Sequence, residues 1–199
     1  METKKDLKKE FNPDHLYEYI IEKGVGIVNW NQNNWEEYWE WVAKKNAQFV
    51  GDQKWDAKYF TEKELLRTSY VAIDNNWLDK EHRQDALIMC KEMLDPIREE
   101  WGSAIRITSG YRTPRLNKAI KGANNSQHIY GQAVDIVPLE MKPTSMDTLF
   151  ALIIAMSKEN TIEFDQIIHS GSWIHISYSK GNNRLEKLHK TSKGYQHIH

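Results

Sequence analysis

Residues 105–138 read IRITSGYRTPRLNKAIKGANNSQHIYGQAVDIVP, and the fold is decided by how this stretch is divided. AIRIT is a short β-branched strand and SGYR turns the chain. Thr113 and Pro114 stand as N-cap and first residue of a short helix, which Gly122 closes. QAVDIVP is a second strand. Its alternation puts Ala133 and Asp135 on one face and Val134 and Ile136 on the other. His128 precedes Asp135 by seven residues, and Gly131 and Ala133 between them leave room for close approach of backbone or ligand. A third group with ligand chemistry, His175, lies downstream in SWIHISY. Two imidazoles and one carboxylate suit a zinc ion with an open fourth position.

Downstream, SMDTLFALIIAMSKE predicts a helix that Ser145 can cap and that buries Leu149, Leu152, Ile153 and Met156. FDQIIH and SWIHISY predict two strands joined through Ser170-Gly171. In the second, Trp173, His175 and Ser177 share one face and Ile174, Ile176 and Tyr178 the other. Residues 191–199 read as a polar tail, with His197 and His199 as a solvated HxH pair. Upstream, Thr61 and Glu64 have the spacing of a capping box. A helix is expected from about Lys80 to Trp101, with Leu87, Cys90, Leu94, Ile97 and Trp101 as its apolar stripe. Gly102 ends it, and Pro96 should kink or split it. Residues 1–57 read as a separate aromatic-rich helical extension. Trp30, Trp35, Trp39 and Trp41 crowd it, HLYEYIIEKG stops at Gly24, and Trp35, Tyr38, Trp39 and Val42 have helical spacing. That aromatic face either packs on the following domain or docks a protein or glycan partner.

The chain has 199 residues, enough for one ordinary domain with an extension. Lys+Arg 27 against Asp+Glu 28 gives a net charge of -1, which argues against a broad nucleic-acid footprint. Mean hydropathy is -0.72, and no apolar run approaches a membrane span. The first residues, METKKDLKKEFNPD, lack the apolar core of a signal peptide. One cysteine, Cys90, excludes an intrachain disulfide framework, and its helical stripe predicts a buried thiol.

Taken together, SGYR at 109–112, Asn117, Gly122, SQHIYGQAVDI at 126–136, FDQII at 164–168 and WIHISY at 173–178 resemble a family. It is the zinc peptidases of the M15 type, which include D-alanyl-D-alanine carboxypeptidases, D,D-dipeptidases and phage L-alanyl-D-glutamate endolysins. YFTEKELLRTSYVAIDN, the LDPIREEWG run and NRLEKL at 183–188 are similar to its compact phage and prophage branch, so the likeness covers about residues 59–190. It implies an α+β fold of the hedgehog/DD-peptidase type, a small, mostly antiparallel sheet flanked by helices, over residues 58–190. It implies Zn2+ held by His128, Asp135 and His175, with Arg112 pointing into the site. The substrate implied is the stem peptide of bacterial peptidoglycan, cleaved at the cell wall. Tyr111, Ser126, Gln127 and Trp173 are the expected substrate contacts, although Ser126 and Gln127 could equally order the loop carrying His128. Several relatives carry a carboxylate as general base three residues before the last ligand, where this chain has Ser172. His169 is the expected substitute base, its ordinary pKa near 6.5 suiting the task, and Asp165 is a weaker alternative. Without a base, the protein would be a catalytically weakened binding module, such as a virion component.

Overall fold

The structure is a computed structural model that describes residues 13–24, 31, 33–38, 40–41, 54–70, 72–140, 142 and 145–198. Trp30, Trp39, Val42 and His199 of the sequence reading lie outside these residues.

The fold is α+β, as the sequence implies. Six strands form one sheet: β1 (Ile105–Ser109), β2 (Ala133–Pro138), β3 (Gln166–His169), β4 (Ile174–Ser177), β5 (Glu186–Thr191) and β6 (Gly194–His197). Their order is β1-β2-β4-β3-β5-β6. Every neighbouring pair is antiparallel except β3 with β5, which run parallel. The β3–β4 hairpin turns at Ser170, whose hydroxyl donates to the Trp173 carbonyl at 2.7 Å and accepts its amide at 3.0 Å.

Alternation sorts the central strands by face. Val134, Ile136, Ile167, Ile174 and Ile176 are buried on one side, under a helical layer. The helices are α1 (Pro13–Lys23), α2 (Glu62–Leu65), α3 (Lys80–Met89), α4 (Asp95–Trp101), α5 (Pro114–Ala119) and α6 (Ser145–Lys158), of which α3, α4 and α6 supply most of that layer. In α6, Leu149, Ile153 and Met156 recur three or four residues apart and are buried; each such side chain contributes about 1.5–3 kcal/mol. Ser145 is the first helical residue rather than the cap, its hydroxyl accepting the amide of Lys142 at 2.8 Å.

The long helix expected at 80–101 is interrupted. A π-helical turn, Cys90–Leu94, separates α3 from α4, and Pro96 sits in the first turn of α4, where its missing N–H costs nothing. Cys90 is buried there as a free thiol. Asp95 accepts the backbone amides of Lys58 and Tyr59, at 2.6 and 3.0 Å. The Thr61–Glu64 capping box forms, although the helix it starts has one turn.

Two expectations about boundaries change. Trp55 stacks on Trp77 and Ala57 packs on the main core, so the sheet domain begins a few residues before 58. Residues 194–197 are not a tail but the edge strand β6, paired with β5. Near the N-terminus, α1 ends at Gly24 in a left-handed conformation. Tyr19 of α1 meets both Tyr38 and Trp41 edge-on, in a cluster separate from the main core. Among the described residues, Trp35, Tyr38 and Trp41 therefore pack on α1 within the extension.

Candidate functional site

The strand register brings the distant ligand candidates together. Asp135 on β2 is the direct cross-strand partner of His175 on β4. Both face away from the helical layer into a cleft of about 400 Å³. A β-bulge between Ile107 and Ser109 redirects the end of β1, and Thr108 donates to the Asp135 carbonyl at 3.1 Å. The following turn is pinned by Asn75, which donates to the Tyr111 carbonyl at 2.7 Å and accepts the Thr113 amide at 2.9 Å. Thr113 caps α5, as expected. Asn117 then donates to the Ala123 carbonyl at 2.9 Å and orders the loop leading to the next ligand.

His128 sits on a 3-10 turn, Gln127–Tyr130, and is 2 % exposed. Its Nδ1 donates to the carbonyl of Gly110 at 2.7 Å, which fixes the tautomer and leaves Nε2 facing the cleft. Two glycines allow this. A Cβ on Gly110 would lie 2.4 Å from the Leu65 carbonyl oxygen, and one on Gly131 would lie 2.1 Å from that of His82. Gly131 also has φ +70°.

His175 Nδ1 lies 2.9 Å and His128 Nε2 lies 3.5 Å from Asp135 Oδ1. The three ligand atoms are within 4.8 Å of one another. A tetrahedral zinc at about 2.0–2.1 Å from each ligand separates neighbouring ligand atoms by roughly 3.4 Å. The donor set and its spacing therefore fit such an ion with small adjustments. The other oxygen, Oδ2, accepts from the Arg112 guanidinium at 3.1 Å, while Arg112 Nε donates to Ser109 at 3.0 Å.

Electrostatics agree with a preformed ligand set. Burial pushes the Asp135 carboxyl up, but the neighbouring His128 and His175 outweigh it and hold the group well below the usual carboxylate range. Burial lowers the pKa of His128, so its imidazole stays neutral, the form that binds metal. Burial also lowers Arg112, partly offset by Asp135; an arginine starts so high that the charge persists.

The remaining site candidates divide. Ser126, Gln127 and Trp173 line the cleft. Gln127 is committed to structure, donating to Asp165 at 3.0 Å. Asp165 is 3 % exposed and also accepts two hydrogen bonds from the Arg184 guanidinium, at 2.8 and 2.6 Å. Tyr111 is a correction: it is 1 % exposed, with its ring 4.4 Å from that of Trp77, and it belongs to the core. His169 is a second correction. It is the cross-strand partner of Ile174, so it shares the face of Ile167 and Ile176, opposite His175. Its ring lies edge-on to Phe150 of α6, with Nε2 3.1 Å from Asp147. It is not positioned as a base for the cleft. Ser172 is exposed at the hairpin tip and does not line the cleft either. Among the described residues, Asp135 is the sole carboxylate lining it.

A family model described as Peptidase M15 matches residues 58–177, more than half the chain. This chain belongs to the peptidase M15 family. The match begins three residues after Trp55 joins the core and contains all three ligand candidates and Arg112. A search of curated proteins returns no match. The M15 match makes the chain a peptidase by family, and its sheet carries the site on the open face. Sequence reading missed Asn125, Gln166, Arg184, Lys190 and Tyr195, which also line the M15 cleft. Three of these follow residue 177, beyond the stretch that the family describes.

Proposed function

We propose that this protein is a zinc peptidase that hydrolyses the stem peptide of bacterial peptidoglycan at the cell wall. One observation carries the reading: two imidazoles and one carboxylate from three separate elements converge on a cleft floor, with Arg112 on the carboxylate's other oxygen. Zinc is the ion whose geometry this donor set suits, and when bound it supplies Lewis acidity toward a carbonyl and toward water.

The chain's own groups would do the rest. The Gly110 carbonyl holds His128 in the tautomer that presents Nε2. Asp135 keeps its negative charge through the pH range in which cells grow, because its carboxyl titrates below the usual range. Arg112 is anchored through Nε to Ser109 and through one terminal nitrogen to Asp135. Its remaining donors can receive a developing oxyanion or a substrate carboxylate, and a charged hydrogen bond of that kind contributes about 1.5–3 kcal/mol. Ser126 and Trp173 border the space the peptide would enter.

A second reading is a peptide-binding module that turns over slowly. It is favoured by the absence of any carboxylate but Asp135 among the described cleft residues, with His169 and Ser172 both away from it. One experiment separates the two. Purified wall fragments are incubated with the zinc-loaded protein, with and without chelator, and products are read by mass spectrometry. Chelator-sensitive release of peptide fragments supports the peptidase. Retention of intact fragments on immobilised protein without release supports the binding module.

A further inference from the structure

The cleft is cationic although the chain is not. Against a net charge of -1 for the whole protein, the cleft is lined by Arg112, Arg184 and Lys190 and a single carboxylate, Asp135. These cations are not equivalent. Arg112 is spent partly on Asp135, and Arg184 is held by Asp165 on two sides and approached by Glu186 at 3.5 Å. Lys190 has no ion-pair partner among the described residues. Its ammonium instead lies 5.1 Å from the ring centre of Trp173, the residue just before the strand that carries His175. Lys190 is the cross-strand partner of Tyr195 on β6, and both line the cleft. A lysine laid over an indole is oriented without being neutralised, so its charge stays available to a ligand.

We infer that Lys190 is a specificity-determining residue that binds a second carboxylate of the substrate peptide, apart from the group that Arg112 receives. The inference rests on the peptidase reading above and names which peptides the site prefers: those with a free acidic group beyond the scissile bond. The β5–β6 hairpin, which follows the family-matched residues, is the element that confers it. Arg112 lies on the β1 side of the cleft and Lys190 on the β5 side, so a peptide crossing the sheet meets a cation at each flank.

The test uses the zinc-loaded full chain and two synthetic stem peptides of one sequence. In one the non-terminal carboxyls are free; in the other they are amidated. The wild type should prefer the acid peptide by about three- to tenfold, the range expected for a partly exposed charged contact, with the difference in KM rather than kcat. Lys190→Met should raise KM for the acid peptide to that of the amide, and Lys190→Arg should restore the preference. Equal KM for the two peptides in the wild type, or an undiminished preference in Lys190→Met, would overturn the inference. Calorimetric binding of both peptides keeps the two readings apart. If neither peptide is hydrolysed but the acid form binds more tightly and loses that advantage in Lys190→Met, the peptidase reading falls and the role of Lys190 stands.

Discussion

His128 reaches the cleft because its other nitrogen is occupied. The Gly110 carbonyl can only accept, so Nδ1 carries the proton and Nε2 is free to bind an ion. His128→Ala should therefore lose bound zinc and hydrolysis together, while circular dichroism and thermal melting still report a folded chain, since the core lies on the other face of the sheet. Unfolding of that variant at room temperature would instead make the metal structural. His169 is the contrasting case. Burial lowers its pKa, the neighbouring His189 lowers it further, and Asp147 opposes both. The native protein thus binds a proton less readily than the unfolded chain, so stability falls as pH drops through about 6.5 and levels off below the native pKa. His169→Gln should flatten that part of the stability–pH curve, measured by urea melts from pH 5 to 8, and leave hydrolysis at pH 7 intact. The face of His169 was legible by counting in twos from Ile167, which puts it with the core. Proximity to the motif misled where parity would not have. Tyr111 gave no such signal: its partner, Trp77, is far away in sequence and the SGYR turn has no period to count.

Secondary elements hold the ligands at fixed distances, and the tightest junction is between α3 and the turn bearing His128. Gly131 meets the last requirement of that turn, a positive φ, and also lets the His82 carbonyl come within 2.1 Å of where a Cβ would be. Gly131→Ala should cost more than about 1 kcal/mol in a urea melt, since both the dihedral and the contact are violated. Weakened zinc affinity should accompany it, because His128 rides on the same turn. The elements nearest this junction were readable from sequence. Thr113-Pro114 marks a helix start, Pro96 an interruption, and Ala133 to Ile136 a strand, each through local chemistry. The β5–β6 hairpin was not readable. EKLHKT and GYQH are exposed on most of their surface, so no apolar alternation records which way they face. Lys190 and Tyr195 went unnoticed for that reason.

At the scale of the molecule, two aromatic and aliphatic cores form independently, one around Tyr19, Tyr38 and Trp41 and one between sheet and helices. A fragment starting at Lys54 keeps Trp55 on Trp77 and the Lys58 and Tyr59 amides on Asp95. It should fold, bind zinc and retain hydrolysis, as checked by metal analysis and peptide assay on the purified fragment. A fragment starting at Lys58 should melt at a lower temperature for want of that stacked indole. The register of β2 against β4 has a last consequence. Asp135 and His175 are opposite one another, and a slip of one residue would turn one of the pair into the oily interior. An ion that binds only the correctly aligned sheet adds its binding free energy to that alignment alone. Metal uptake during folding would act as a proofreading step, rewarding the one strand pairing that can do chemistry.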